Sequence, residues 1–563
     1  MRVVSCSVTG AGAALARRLP YQHRAGRMLD TVAEEWGRAD GLVIIASAGI
    51  AVRAVAPHLA GKDRDPAVVC LDDAGRHAVV LLGGHRAGGN RLAAEVAALV
   101  GATPVISTAS DLAGLPGLDN IPGLVAEGDV ASVTRRWLDG EPPEVILDDG
   151  LEGWPLPVEL AAGGPPGGGT GGRVRLTDGV RPAGTGEVLL RPASLVLGVG
   201  SSRGARPDGL ARAAHDALRR AGRHPASVAA VATVDLKATE PAVVALAQEL
   251  GVPLLTFPAS VLAGRAVPNP SPVVAAAVGT PSVAEAAALL AGGPDAALVV
   301  EKTVSDTGDS TVAVARHPRP AGHLAVVGLG PGHPARRTPE AAAAVGHAQV
   351  VIGYGPYVDQ AADLLGPGQE VIRSPIGAEA DRTRTALERA AAGYRVALVC
   401  SGDAGVYAMA SLACELAPAA GDPPLTVVPG VTAALAGAAV LGAPLGHDHA
   451  SVSLSDLLTP WEVIERRIRA VAEGDFVVSF YNPRSQRRTT QLERAMALLA
   501  GHRPPTTPAA VLTHIGRPGQ SVIRTTLAAL DPADVGMLSL VVVGSSRTRW
   551  TAGRMVTPRG YLP

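Results

Sequence analysis

The chain has 563 residues, too many for one hydrophobic core, so two to four domains are expected. Its formal net charge is -1, with no basic block and few aromatic residues, which argues against a nucleic-acid surface. Four cysteines with no CxxC pair argue against a disulfide framework and an iron–sulfur cofactor, and no metal site is expected. Three of the four lie in or beside apolar runs, where a buried thiol is expected. The opening MRVVSCSVTGAGAALARRL reads as strand, turn and helix rather than a leader. No apolar run of about 18 residues is free of Gly, Pro and charge, so no membrane span is expected and the cytoplasm fits best.

Residues 1–130 alternate short apolar runs (VVSCSV, GLVIIAS, AVVCLD, HAVVLLGG) with alanine-rich helical stretches, the pattern of an α/β domain. IIASAGIAVRAVAPHL places Arg53 in the first turns of a helix. In LLGGHRAGGN a strand ends in two glycines, His85 follows, and Gly88, Gly89 and Asn90 open a helix. Free N–H groups there can bind an anion, and His85 is either a general base near neutral pH or a capping and packing residue. STASD, residues 107–111, adds polar groups after another strand, and the two phrases can share one polar cleft. Over 131–190 the pattern decays, and AAGGPPGGGTGGRVRL is expected to be a connector without core elements.

A second α/β domain is expected over 191–318, with strands SLVLGVG, AAVATV, PLLTF and AALVV. Lys237 and Glu240 are spaced as a helical ion pair, and Glu285 as a carboxylate in a first helical turn. Lys302 is expected at a strand end, where it can meet a substrate carboxylate.

The third block restarts at LAVVGLG and divides into an N-terminal lobe, 323–446, and a C-terminal lobe, 447–563. GLGPG, Gly328–Gly332, brings backbone close to a neighbour, and Pro331 stiffens it. Ser401, Gly402, Asp403 and Gly405 follow another strand; Asp403 can accept from a ligand or close an Asx turn on its own backbone. VVPGVTAA ends a third strand, with Thr432 a ligand contact or an N-cap. Three glycine-bearing strand ends make a pocket at the carboxyl edge of an open sheet.

On these phrases, together with FYNPRS, the third block resembles the tetrapyrrole methylases of corrin biosynthesis, which use S-adenosylmethionine. IGYGPYVD, CSGDAGVYAMA and YNPRS resemble the precorrin-3B C17-methyltransferase branch, whereas SPIGAEADRT departs from that branch's SGM-type phrase. The resemblance implies two α/β lobes with the cofactor in a cleft between them, a homodimer, and no dinucleotide site. It implies that Gly328, Gly330 and Pro331 shape the cleft wall and that Gly402, Asp403, Gly405 and Val406 hold the methionine part. Thr432 and Ala433 would lie close by, with Tyr481 and Asn482 at the adenosine. The substrate would be a tetrapyrrole, with or without cobalt. His447 and His449 are the acid–base candidates, and Arg484 leads the arginines that can pair its carboxylates.

Residues 1–318, through GGHxxGxN-, VxNP- and GTxSVAEAAAL-like phrases, resemble the cobalamin-biosynthesis proteins that open the lactone of cobalt-precorrin-5A and release acetaldehyde. His85 would then be the base for water attack, with helix-start N–H groups at the oxyanion and Arg53, Asn90 and Lys302 at the substrate. GVGSSRG departs from that family, placing Ser201 and Ser202 where a cysteine is usual. The reading is a multidomain α/β fusion of two corrin-pathway enzymes. Three alternatives stand beside it: a noncatalytic N-terminal module, methylation at another corrin position, and a plain nucleotide-binding protein.

Overall fold

The computed structural model describes residues 2–61, 64–84, 87–163 and 171–561. The first sheet takes β1 (Val3–Ser7), β2 (Gln22–Ala25), β3 (Gly41–Ile45), β4 (Ala67–Leu71), β5 (His77–Leu82) and β6 (Thr103–Val105) in the order β2-β1-β3-β4-β5-β6. β1 to β4 run parallel and β5 turns back on β4, its turn closed by Asp72 accepting the N–H groups of Ala74, Arg76 and His77. Every residue of β3 and β4 is buried, as strands covered on both faces require.

A second sheet replaces the expected connector. β7 (Leu124–Gly128), β8 (Glu144–Leu147), β9 (Arg173–Leu176) and β10 (Glu187–Pro192) pair in the order β7-β10-β9-β8. Its core gathers Trp137, Trp154, Leu160, Val174, Leu176 and Leu190. Arg-Val-Arg-Leu, read as linker, is an interior strand: Val174 and Leu176 face the core with the period of two that a strand imposes. The divisions expected at 130 and 190 therefore fall inside one packed unit.

The third sheet takes β11 (Leu195–Ser201), β12 (Val228–Val234), β13 (Leu254–Phe257), β14 (Ala297–Val304) and β15 (Ser310–Arg316) in the order β13-β12-β11-β15-β14. The fourth takes β16 (His323–Gly328), β17 (Val350–Tyr354), β18 (Glu370–Ser374), β19 (Arg395–Cys400) and β20 (Leu425–Val428), all parallel, in the order β18-β17-β19-β16-β20. Along β16, Leu324 and Val326 enter one core while Ala325 and Val327 enter the core on the opposite face. All its carboxyl ends thus point to one edge.

Helix Ala433–Leu441 leaves that edge for the last unit. After β21 (Gly442–Ala443), the fifth sheet takes β22 (His449–Ser453), β23 (Val477–Tyr481), β24 (Pro508–Thr513), β25 (Ser521–Thr526) and β26 (Ser539–Val543) in the order β22-β23-β26-β24-β25. β27 (Arg549–Thr551) and β28 (Arg554–Val556) pair with β21 in a small sixth sheet. Ala436 and Leu441 of the helix pack with Leu512, Leu540 and Met555, so packing divides the lobes before the helix rather than near Gly446. Among the described residues no helix is long and apolar enough to cross a membrane.

Candidate functional site

Three strand ends converge at the edge of the fourth sheet. A Cβ on Gly430 would stand 2.1 Å from the Gly402 carbonyl oxygen, and one on Gly328 would stand 2.8 Å from the same atom. GLGPG, SGDAG and VVPG thus carry glycine because three backbones touch there. Gly330 and Gly402 exchange two main-chain hydrogen bonds, of 3.0 and 2.8 Å. Asp403 clasps the cluster: Oδ1 accepts the Gly405 N–H at 2.8 Å and Oδ2 the Gly430 N–H at 3.0 Å. The Asx turn is therefore formed, and the second oxygen ties β19's end to β20's.

The GLGPG turn also docks the other lobe. The loop from β24 to β25 brings Arg517 to it: Nε donates to the Pro331 carbonyl at 3.0 Å, and Nη2 to Ser401 Oγ at 2.6 Å and Gln360 Oε1 at 3.1 Å. Gln360 in turn donates to the carbonyl of Gly330 at 2.9 Å. A side chain on Gly332 would meet the Arg517 Cγ at 2.4 Å, so this glycine leaves room for the arginine.

Between the lobes lies a cavity of about 730 Å³. Its wall includes Pro331, Gly402, Asp403, Val406, Thr432, Ala433, Tyr481 and Asn482, all expected at the cofactor. Gly328, Gly330 and Gly405 stand behind that wall. Thr432 precedes helix Ala433–Leu441, but its side chain caps no N–H. Tyr481, from β23, does so instead: its hydroxyl accepts the Ala434 N–H at 2.9 Å and lies 2.6 Å from Thr432 Oγ1. Tyr407 stands 5.1 Å from the Tyr481 ring, centroid to centroid, and donates to the Ser451 carbonyl at 2.9 Å. Burial pushes both phenols above their usual range.

Backbone strain gathers here. Tyr407, Asn482 and His514 have φ of 52°, 49° and 55°, and all three line the cavity. Each holds a left-handed conformation that costs a non-glycine residue about 1–2 kcal/mol. Tyr407, His514 and Arg517 escaped the sequence reading; THIGRPG carries no spacing signal, and only the fold brings it to GLGPG.

Other expectations are corrected. His447 and His449 lie in a separate recess with Asp448, Phe476 and Arg559. They sit at the start of β22, whereas Ser453 at its far end lines the cavity. Arg484 turns its guanidinium to the Pro532 carbonyl and is not among the lining residues; Arg382, Arg467 and Arg517 line the cavity instead. Arg373 and Arg384 pair with Asp359 and Asp381 at the surface.

In the N-terminal half, His85 lies outside the described residues. Asn90, buried at the start of helix Gly89–Val100, donates to Thr108 Oγ1 and Asp111 Oδ2, both at 2.8 Å, so the two expected phrases do meet. Its own Oδ1 is buried without a hydrogen-bond partner among the described residues. Arg53 is exposed, in the last turn rather than the first, and donates to the Gly49 carbonyl of its own helix at 3.1 Å. Lys302 lies within β14, not at its end, with Nζ on the Asn269 carbonyl at 2.6 Å. Fully buried Glu285 accepts from the Lys302 N–H at 3.0 Å and from Asn269 Nδ2 at 2.9 Å, joining three phrases of the second block. Lys237 and Glu240 form the expected pair at 3.0 Å. Ser201 Oγ is buried without a partner among the described residues. No group of three or more metal-binding side chains occurs among the described residues.

Comparison with known proteins agrees with this division. The family of Tetrapyrrole (Corrin/Porphyrin) Methylases matches residues 323–531, Cobalamin synthesis G C-terminus matches 195–315, and Cobalamin synthesis G N-terminal matches 30–111. A probable cobalt-factor III C(17)-methyltransferase of Salmonella typhimurium is 46% identical over 239 residues, covering 42% of this chain and 99% of that protein. A precorrin-3B C(17)-methyltransferase of Sinorhizobium sp is 45% identical over 232 residues, covering 40% of this chain and 91% of that one. The solved structure of the methyltransferase CobJ is 39% identical and covers 42% of this chain and all of that one, with a TM-score of 0.40. The chain belongs to the tetrapyrrole methylase family through its C-terminal part, which is fused behind a cobalamin synthesis G-like, cobalt-precorrin-5A hydrolase-like part.

Proposed function

We propose that the chain methylates C17 of precorrin-3B or cobalt-precorrin-3 with S-adenosylmethionine, contracting the macrocycle, and that its N-terminal part opens the lactone of cobalt-precorrin-5A. The methylase reading rests on one observation above all: the interlobe cavity is walled by the strand ends that the family's phrases occupy.

The residues present fit the cofactor. Gly402 and Ala433 give the wall a stretch without large side chains, held in place by the glycine contacts behind it. Tyr407, Tyr481 and Asp403 suit a sulfonium cation beside aromatic faces and a carboxylate. Once bound, the cofactor supplies an electrophilic methyl group. The chain's task is then alignment: Asp403 fixes that stretch of wall, Tyr481 fixes the helix start, and Arg517 fixes one lobe against the other. Arg382 and Arg467 on the wall are donors for the carboxylates of a tetrapyrrole. A homodimer through the methylase part and a cytoplasmic location, where free Cys6, Cys70, Cys400 and Cys414 stay reduced, complete the reading.

For the N-terminal half, the meeting of Asn90 with Thr108 and Asp111 beside the glycine turn supports a polar reaction site over a purely structural module. His85→Ala in the full chain is expected to abolish release of acetaldehyde from cobalt-precorrin-5A; unchanged release would favour the noncatalytic module. The methylase is tested by a mass-resolved turnover assay with S-adenosylmethionine and either metal-free precorrin-3B or cobalt-precorrin-3. Gain of one methyl on either substrate is expected and names the route. No transfer to either, by protein that binds the cofactor, would move the reaction to another corrin position.

A further inference from the structure

Adding a methyl cation to a tetrapyrrole carbon leaves a charge to dispose of. The macrocycle carbon gives its π pair to the new C–C bond, and the S–CH3 bond breaks with its pair kept by sulfur. The positive charge, now on the macrocycle, is lost as a proton; the contraction breaks one ring C–C bond as it forms another and leaves the charge count unchanged. Something in the cavity must take that proton.

The bases on the wall are mostly committed. Glu379 is bound by Arg382 at 2.6 Å. Both oxygens of Asp403 hold backbone N–H groups. Burial raises Tyr357, Tyr407 and Tyr481, which keeps them as donors near neutral pH, and pushes the Cys400 thiol up to about 11. Glu415 is exposed at the rim. His514 differs: it is half-buried, lines the cavity, and no hydrogen bond holds its imidazole among the described residues. It also sits at φ 55°, on the same turn whose Arg517 is bolted to Pro331 and Ser401.

We propose that His514 touches the tetrapyrrole and accepts the proton released on methylation, with Arg517 as the positioning residue that holds its turn against the N-terminal lobe. The proposal rests on the methylase reading above. The charged groups facing this space are Arg517 on its own turn, Arg382 and Glu379 from helix Glu379–Ala391, Asp403 after β19, Glu415 from helix Ala410–Leu416, and Arg467 from helix Trp461–Glu473. The three arginines suit a substrate rich in carboxylates.

The test compares wild type, His514→Gly and His514→Asn in the full chain, since both replacements tolerate the left-handed backbone. Melting temperature, S-adenosylhomocysteine affinity by calorimetry, and the pH profile of methyl transfer are read together. Expected are melting temperatures equal to wild type or higher, affinity within threefold, kcat down at least a hundredfold with KM little changed, and loss of the acid limb of the profile. Wild-type kcat in either variant, a retained acid limb, or a melting temperature that falls with activity in both variants would overturn the proposal while leaving the methylase reading intact. A wild type that binds the cofactor but methylates neither tetrapyrrole would overturn both.

Discussion

At the scale of single residues, the clearest roles belong to side chains that bond backbone. Asp403 holds two N–H groups from two strand ends, so Asp403→Ala should cost about 1–3 kcal/mol in denaturant unfolding and weaken S-adenosylhomocysteine binding. Tyr481→Phe removes the acceptor at the start of helix Ala433–Leu441 and should cost about 1 kcal/mol, with cofactor affinity falling in the same variant. His317 gives a pH dependence. It is buried, stacks on Trp154 at 5.7 Å, and donates from Nδ1 to the Arg319 carbonyl at 2.6 Å. Burial lowers its pKa below the usual 6.5, so the unfolded chain takes up its proton first as pH falls. This stability is complete above about pH 6.5 and is lost toward the lower folded value, at up to about 1.4 kcal/mol per pH unit. Melting temperatures from pH 7.5 down to 5.5 should fall, and less so in His317→Gln.

At the scale of elements, the glycine turns act as mating surfaces. Gly430→Ala must displace the Gly402 carbonyl, 2.1 Å from the new carbon, and should cost about 3 kcal/mol or prevent folding. Gly355→Ala is the control: nothing lies within 4 Å of its Cβ position, and stability should hardly change. Thermal melts of the two variants check the contrast. The alternation in β9 was readable, yet nine Gly and Pro residues just before it masked the strand and sent the reading to a connector. The buried runs of β3, β4, β16, β19 and β26 were legible because a doubly covered strand must be apolar at nearly every position.

At the scale of the whole molecule, the two halves touch. Helix Gly89–Val100, which opens at the LLGGHRAGGN turn, brings Arg91 Nη1 to 2.7 Å from His347 Nε2 of the methylase part. His347 Nδ1 lies 2.8 Å from the Ala343 carbonyl, so the ring donates there and accepts from Arg91 only while neutral. Burial and the nearby Arg91 both lower its pKa. Protection factors against hydrogen exchange across residues 87–100 and 339–347 should therefore fall together at acid pH, and Arg91→Ala should lower both at neutral pH without loss of methyl transfer.

The sequence by itself determined the order of the α/β units, the strands buried on both faces, and the phrases that carry the family. Each of these is written in local periodicity and in glycine positions that no tertiary contact is needed to read. The tertiary structure alone decided which residues share the interlobe cavity. His514 and Arg517 reach it from a hairpin more than a hundred residues past Asp403, while His447, His449 and Arg484, closer in sequence, point elsewhere. For the two histidines the reason is strand direction: they lie at the far end of β22 from the cavity, and pairing with β23 fixes which end that is; Arg484 follows the cavity end of β23 but is drawn to the Pro532 carbonyl.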